Sequence, residues 1–308
     1  MIARQARVLG PFGARHARPA HRLALSPTCW GISEDGGWGH QIDAERVLSE
    51  AAAVGEGAIT AGPPGFLPDR SDQARPMLRR LKVQVVAGQV QAILHQNEAR
   101  GPELAHIDGH AHWLAAIGAG TLVLSAIPER GAGAPARAES LSNAEWAHLL
   151  HLVGSVEHVC ARHHIRLAVQ PRFGSTIQGP VEIERLLVGT EAGVCLDIAH
   201  LVLSGADPVE VVELAAGRIQ HVHLNDVDGD LVLRVRDGSL GYRDAVARGL
   251  YKPVGEGMAN VRRVTEALRH AGYRGWYTLE QETRLATPED RPLGRISRSL
   301  EFVLPLLA

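Results

Sequence analysis

Eight short apolar runs, each followed by a segment of helical periodicity, constrain this chain more than anything else in it. Runs rich in β-branched and aliphatic residues at 23–29, 58–61, 83–93, 121–125, 166–169, 194–196, 219–223 and 276–279 read as strands. Between and after them, 44–54, 73–81, 103–117, 143–163, 181–188, 208–216, 261–271 and 296–306 carry apolar residues at helical spacing. Asp207 before Pro208 and Ser142 before Asn143 are capping signals, and Gly55, Gly118, Gly217 and Gly272 mark helix ends. Strands that alternate with helices must run parallel, because each helix carries the chain back to start the next strand. Eight such units predict an α/β fold of the (β/α)8 barrel type.

A chain of 308 residues with 45% hydrophobic content can fill one such barrel, whose usual length is roughly 250 residues. Residues 23–308 are therefore expected to form a single domain. Ahead of it, residues 1–22 hold Arg4, Arg7, Arg15, Arg18 and Arg22 and no acid. That segment lacks the apolar centre of a secretory signal and is expected to be a flexible extension. A net charge of -2 gives no sign of a polyanion partner, so no nucleic acid is expected. Nor does any apolar stretch reach the roughly 20 residues that a membrane span needs. Cys29, Cys160 and Cys195 are far apart, each in an apolar run, which fits reduced core thiols and a cytoplasmic home.

Carboxylate and imidazole side chains close three successive strand runs: Asp197 in VCLDIAH, His223 in IQHVHLND and Glu280 in GWYTLEQE. Parallel strands bring their carboxyl ends together, so these three should meet near the barrel axis. Anionic oxygen and neutral nitrogen together suit a divalent ion such as Zn, Mn, Fe, Co or Ni. A single Asp at a strand end is more often a cap and a single buried His more often a backbone partner; three at equivalent places reverse that balance. His200, three residues after Asp197, is a candidate ligand, acid–base group or orienting residue. His221 is expected to pack on the opposite side of its strand from His223. His95 stands at the third strand end, and Trp30 and Trp38 are candidate apolar walls for a carbon ring. Glu256, in a Gly-Glu-Gly turn, is a candidate pocket carboxylate. The long connections at 33–41 and 227–257 follow strand ends and are expected to cover the substrate. Residues 129–139, rich in Gly, Ala and Pro, read as a mobile surface loop.

These segments, with SPTCWGI, AGPPGFLP and DAVARGLYKPVGEG, resemble the xylose-isomerase-like barrel superfamily and, within it, the inosose dehydratase-like branch of sugar isomerases, epimerases and dehydratases. The resemblance runs from about Leu23 to the C-terminus. It implies one divalent metal, Mn, Zn or Co, held by Asp197, His223, Glu280 and the residue after the fifth strand. There the family has a glutamate and this chain has Gln170, with Gln178 in the following loop as the alternative. Thr60 stands where a glutamate commonly closes the second strand, and Asn225, a candidate substrate contact, where a lysine is common. An amide is a weaker ligand than a carboxylate, so the ion would be held less tightly and be more Lewis acidic.

The activity so implied is a lyase or isomerase acting on a keto-inositol or ketose through an enediolate, which dehydration and epimerisation share. Glu280, Glu256 and His200 are the candidate acid–base groups, with His200, Trp30, Trp38, His95 and Asn225 against the sugar or polyol. Two other readings compete. An abasic-site endonuclease uses a similar barrel, but Ser125 ends the fourth strand and Asp226-Val227-Asp228 replaces the Asp-x-His that such enzymes carry. A sugar-binding barrel without turnover would account for the substituted carboxylates. Self-association into a homo-oligomer is left open.

Overall fold

The computed structural model describes residues 22–33, 38–55, 57–129, 140–287 and 290–308. The extension at 1–21, part of the 33–41 connection and nearly all of the 129–139 loop therefore lie outside the described residues. Eight strands pair in parallel and close: β1 (Leu23–Leu25), β2 (Ala58–Thr60), β3 (Gln84–Ala92), β4 (Thr121–Ala126), β5 (Arg166–Val169), β6 (Gly193–Asp197), β7 (Ile219–Leu224) and, last in the chain, β10 (Trp276–Leu279), which pairs with both β7 and β1. The first strand is shorter than the sequence suggested. Ser26 caps a 3-10 turn over Pro27–Trp30, because a proline cannot donate to a sheet ladder and starts a helical turn readily.

Around the barrel lie α1 (Ala44–Ala53), α2 (Ser71–Leu81), α3 (Arg100–Ile117), α4 (Asn143–Arg162), α5 (Pro180–Gly189), α6 (Ile198–Ser204) and α7 (Pro208–Leu214), and, after the cap described below, α10 (Val261–His270) and α11 (Leu293–Leu307). The Ser142–Glu145 capping box opens α4 and Asp207 caps α7, as their sequences required. Side chains facing outward from the strands and inward from the helices form one large buried layer, in which Leu25, Ile59, Leu122, Leu124, Val194, Val222 and Leu279 are almost wholly covered.

The barrel interior is filled separately. Ala24, Ala58, Ala87, Val123, Ala168 and Cys195 form a small apolar cluster inside the strands, with Trp276 packed on it. Side chains of a strand alternate in direction, so the residue two positions further on points the same way and stands one layer nearer the carboxyl end. Those residues are Ser26, Thr60, Ser125, Gln170 and Asp197, and by the same step His223 follows His221 and Glu280 follows Thr278. Gln91 stands opposite Ser125 in register. The upper layer is thus polar on every strand, whereas the layer beneath it sets Ala24, Ala58, Val123, Ala168 and Cys195 beside Gln89, His221 and Thr278.

His221 corrects the sequence reading. Residues two apart share a face of a strand, and His221 accordingly lies on the same side as His223, with ring centroids 5.3 Å apart and its Nε2 2.9 Å from Thr278 Oγ1.

The connection after β7 folds into a cap. Asp226–Val227 (β8) pairs antiparallel with Tyr251–Lys252 (β9), and Gly229–Arg236 (α8) and Tyr242–Ala247 (α9) lie between them. Phe173, Ala199, Leu203, Val232, Leu240, Tyr242, Val246 and Tyr251 give the cap an apolar cluster of its own. One carboxylate ties it down. Asp226 accepts the backbone N–H groups of Val227 and Ala259 on Oδ1, both at 2.9 Å, and of Gly255 and Gly257 on Oδ2, both at 3.0 Å. A Cβ on Gly257 would collide with that carboxylate, which accounts for glycine there.

Candidate metal centre

Ladder register delivers Asp197 beside His223 and Thr278 beside His223 on the other side, so the ends of β6, β7 and β10 converge. His223 Nδ1 lies 2.9 Å from Asp197 Oδ2 and 2.7 Å from Glu280 Oε2. One ligand atom from each of the three residues falls within 4.8 Å of the other two, and all three residues are buried. Edges of about 3 Å are what donors at roughly 2.1 Å around one divalent ion require.

The cluster is held from behind. Asn225 Nδ2 donates to Asp197 Oδ1 at 2.9 Å while its Oδ1 accepts the Ala199 N–H at 2.6 Å, and the His200 N–H donates to Asp197 Oδ1 at 3.1 Å. Asn225 therefore orients the Asp197 carboxylate and the start of α6. On the other side Ser125 Oγ donates to Gln170 Oε1 at 2.8 Å, and Gln170 Nε2 lies 2.8 Å from Asp197 Oδ2 and 3.3 Å from His223 Nδ1. Turning that amide over would bring Oε1 to the cluster and let Nε2 donate to Ser125. Gln178 is elsewhere, its Oε1 accepting the Gly174 N–H at 3.2 Å.

Electrostatics match this packing. Burial alone would raise the Asp197 carboxyl, but His200, His223 and Asn225 outweigh it and hold Asp197 below the ordinary carboxylate range. Burial would lower His223, yet Cys195, Glu280 and the Asp197 hydrogen bond carry it well above its ordinary value. An imidazolium thus sits between two carboxylates where a cation is wanted. His200 goes the other way: burial pushes it down to about 4, so it is neutral at pH 7. Its ring stacks on Tyr242 at 6.1 Å and its buried Nδ1 has no hydrogen-bond partner among the described residues.

Other sequence candidates are not brought here. Glu256 is exposed and pairs with Arg298 at 2.7 Å on α11, because the turn that carries it is pulled inward by its glycine N–H groups and so points its side chain out. Trp30 is fully buried in the layer between barrel and helices, where its indole N–H donates to Glu50 at 2.7 Å. His95 lies outside the hydrogen-bonded cluster, with Nε2 near Gln96 and burial holding its pKa down. Trp38 packs at the edge of the cap cluster, with Arg243 and Arg284 each 5.7 Å from its ring.

Two charged residues beside the cluster escaped the sequence reading. Arg172, two residues past Gln170, stands 3.5 Å from Glu282 Oε1, two residues past Glu280. Glu282 Oε2 accepts from Tyr242 Oη at 2.9 Å, and Tyr242 and Tyr251 share a hydrogen bond of 2.8 Å. The period-two spacing from each strand end was the available signal for the charged pair; nothing in the sequence marked the tyrosines.

A family model for the xylose isomerase-like TIM barrel matches residues 45–304. The chain belongs to that family. Among its relatives are the rhizopine catabolism protein MocC of Rhizobium meliloti, 27% identical over 278 residues that cover 88% of this chain and 84% of that protein, and the inosose dehydratase of Geobacillus kaustophilus, 26% identical over 270 residues that cover 85% and 87%. In fold, this family member resembles the probable 3-DHS dehydratase AsbF of Bacillus anthracis, with a TM-score of 0.68, 13% identity and coverage of 91% of this chain and 98% of that one. It also resembles IolI with a bound zinc atom, at a TM-score of 0.67, 13% identity and coverage of 93% and 98%. No helix among the described residues is long and apolar enough to cross a membrane.

Proposed function

We propose that the protein is a metal-dependent lyase or isomerase acting on a keto-inositol or ketose through an enediolate, with dehydration as its reaction. The observation that carries this is the convergence of Asp197, His223 and Glu280 at the carboxyl ends of neighbouring strands. Kinship with inosose dehydratases supports the substrate class, and the zinc bound by IolI supports the metal. Asp197, His223 and Glu280 would hold the ion, and Gln170, its amide turned over, would supply a fourth ligand atom, an oxygen. A divalent ion bound there supplies Lewis acidity, which polarises a carbonyl oxygen and makes the neighbouring C–H acidic.

The chain's own residues do the rest. Asn225 and the His200 N–H hold Asp197 in one orientation, so the donor set is organised in advance. His200, neutral and with Nδ1 unpartnered among the described residues, would exchange a proton with a substrate hydroxyl. The cap follows the carboxyl end of β7, on the side of the barrel that carries the cluster, and would limit water there. In the dehydration, a proton leaves the carbon beside the carbonyl and a hydroxyl leaves the next carbon as water, giving an enone. The test is metal analysis of the purified protein, followed by incubation of the Mn-loaded protein with 2-keto-myo-inositol. Growth of enone absorbance supports the proposal; inversion at carbon without water loss indicates an epimerase, and metal binding with neither indicates a binding barrel.

A further inference from the structure

We propose that Arg172 makes this pocket a receptor for an anionic substrate, one whose hydroxylated carbon skeleton carries a carboxylate. The inference rests on the metal-dependent reading of the cluster. Charge is the first argument. Asp197 and Glu280 balance a divalent ion, and Gln170 adds nothing where a third carboxylate would leave the centre negative. Arg172 and Glu282 balance each other. The loaded pocket is therefore formally neutral, and its affinity for anions is no longer opposed by a surplus carboxylate.

The second argument is unused donor capacity. A guanidinium has five N–H donors in a planar fork that fits the two oxygens of a carboxylate. Among the described residues Arg172 spends this fork on one 3.5 Å approach to Glu282, too long for a good hydrogen bond, while Glu282 takes the Tyr242 hydroxyl on its other oxygen. Its side chain is 23% exposed, so it is neither sealed in nor free in solvent.

The third argument is rigidity. Backbone N–H of Arg172 donates to Ile177 O at 2.9 Å, its carbonyl accepts from Ser175 N at 3.0 Å, and the adjacent Phe173 ring stacks on Tyr242 at 6.0 Å. A loop fixed on both sides presents the fork in one place, and prior organisation is what turns a charged contact into selectivity.

The test is calorimetric titration of the Mn-loaded protein with two pairs of probes, quinate against myo-inositol and D-fructuronate against D-fructose. The carboxylate member of at least one pair should bind about ten- to hundredfold more tightly, the range expected for a charge-assisted contact. Arg172→Gln should reduce that preference to about twofold or less while leaving Mn binding and the neutral probe's affinity within about threefold. Glu282→Gln, which removes the competing anion, should tighten the carboxylate probe. Equal affinity within both pairs, a preference that survives Arg172→Gln, or failure of all four probes to bind overturns the inference. A Mn titration of the parent protein is run alongside. If Mn is not bound, the metal-dependent reading fails by itself, and the same pairs titrated without the ion still decide the role of Arg172.

Discussion

Gln170→Glu should destabilise the metal-free protein and recover most of that deficit once metal is bound. Gln170 Nε2 lies 2.8 Å from Asp197 Oδ2 and 3.3 Å from His223 Nδ1, and Glu280 is on the far side of the same imidazole. Replacing that N–H donor by a carboxylate oxygen removes an attractive contact with Asp197 and adds a like charge. Two unit charges 4 Å apart repel by about 4 kcal/mol at an effective dielectric near 20. Rotation of the new side chain and its protonation relieve part of this, so a loss of about 2–3 kcal/mol is expected for the metal-free protein. At about 2 °C per kcal/mol for a domain of this size, Tm should fall by about 4–6 °C in EDTA.

With Mn present the same carboxylate becomes an anionic ligand. Affinity should rise by about ten- to a hundredfold or more, since changes to orienting partners alone are worth that much. The assay is thermal unfolding in EDTA and at several Mn concentrations, with calorimetry for the affinity. A variant destabilised as much in saturating Mn as in EDTA, or one that binds Mn like its parent, would refute the placement of Gln170 at the metal.

Other outcomes test other parts. Asp197→Ala should release most of the metal, because it removes one of two anionic ligands, as elemental analysis after gel filtration will show. Mn affinity should climb with pH from about 6.5 upward, by up to tenfold per unit, since the raised pKa of His223 keeps a proton on the free protein that the ion must displace; a flat dependence, or no proton release in buffers of different ionisation enthalpy, contradicts the assignment. Asp226→Asn loses the acceptor for two of the four N–H groups it holds, at about 1 kcal/mol each, and should expose 228–257 to limited proteolysis before the barrel unfolds. Deleting residues 1–20 should leave soluble protein with unchanged far-UV circular dichroism, as the barrel register begins at Leu23.

All eight barrel strands were legible in the sequence because their apolar runs face helices and must be buried along their length. Asp197, His223 and Glu280 were legible for the same reason: each breaks such a run at its carboxyl end. Gln170 could be placed only through resemblance, since a lone amide has no pattern of its own, and its contacts with Ser125 and Asp197 come from strands 45 and 27 residues away. The cap was expected as a cover, but not as two helices and a ribbon, because what holds it is one carboxylate gathering N–H groups from 29 to 33 residues further along. Trp30 and Glu256 misled for opposite reasons. A tryptophan at a strand end gives no sign of which side of the wall it faces, and a glutamate between glycines reads as a pocket residue until the neighbouring N–H groups are seen to turn it outward.

The stacking of a polar layer on a mixed one inside the barrel separates inheritance of shape from inheritance of chemistry. Leu25, Ile59, Leu124, Val194 and Leu279 secure the wall from outside, so Ser26, Thr60, Gln91, Ser125, Gln170, Asp197, His223 and Glu280 can drift without loosening it. A lineage can exchange a glutamate for Gln170 in a single step and keep its skeleton. In this chain the wall and the chemistry are thus carried by different side chains, the second by about eight positions, one at the end of each strand.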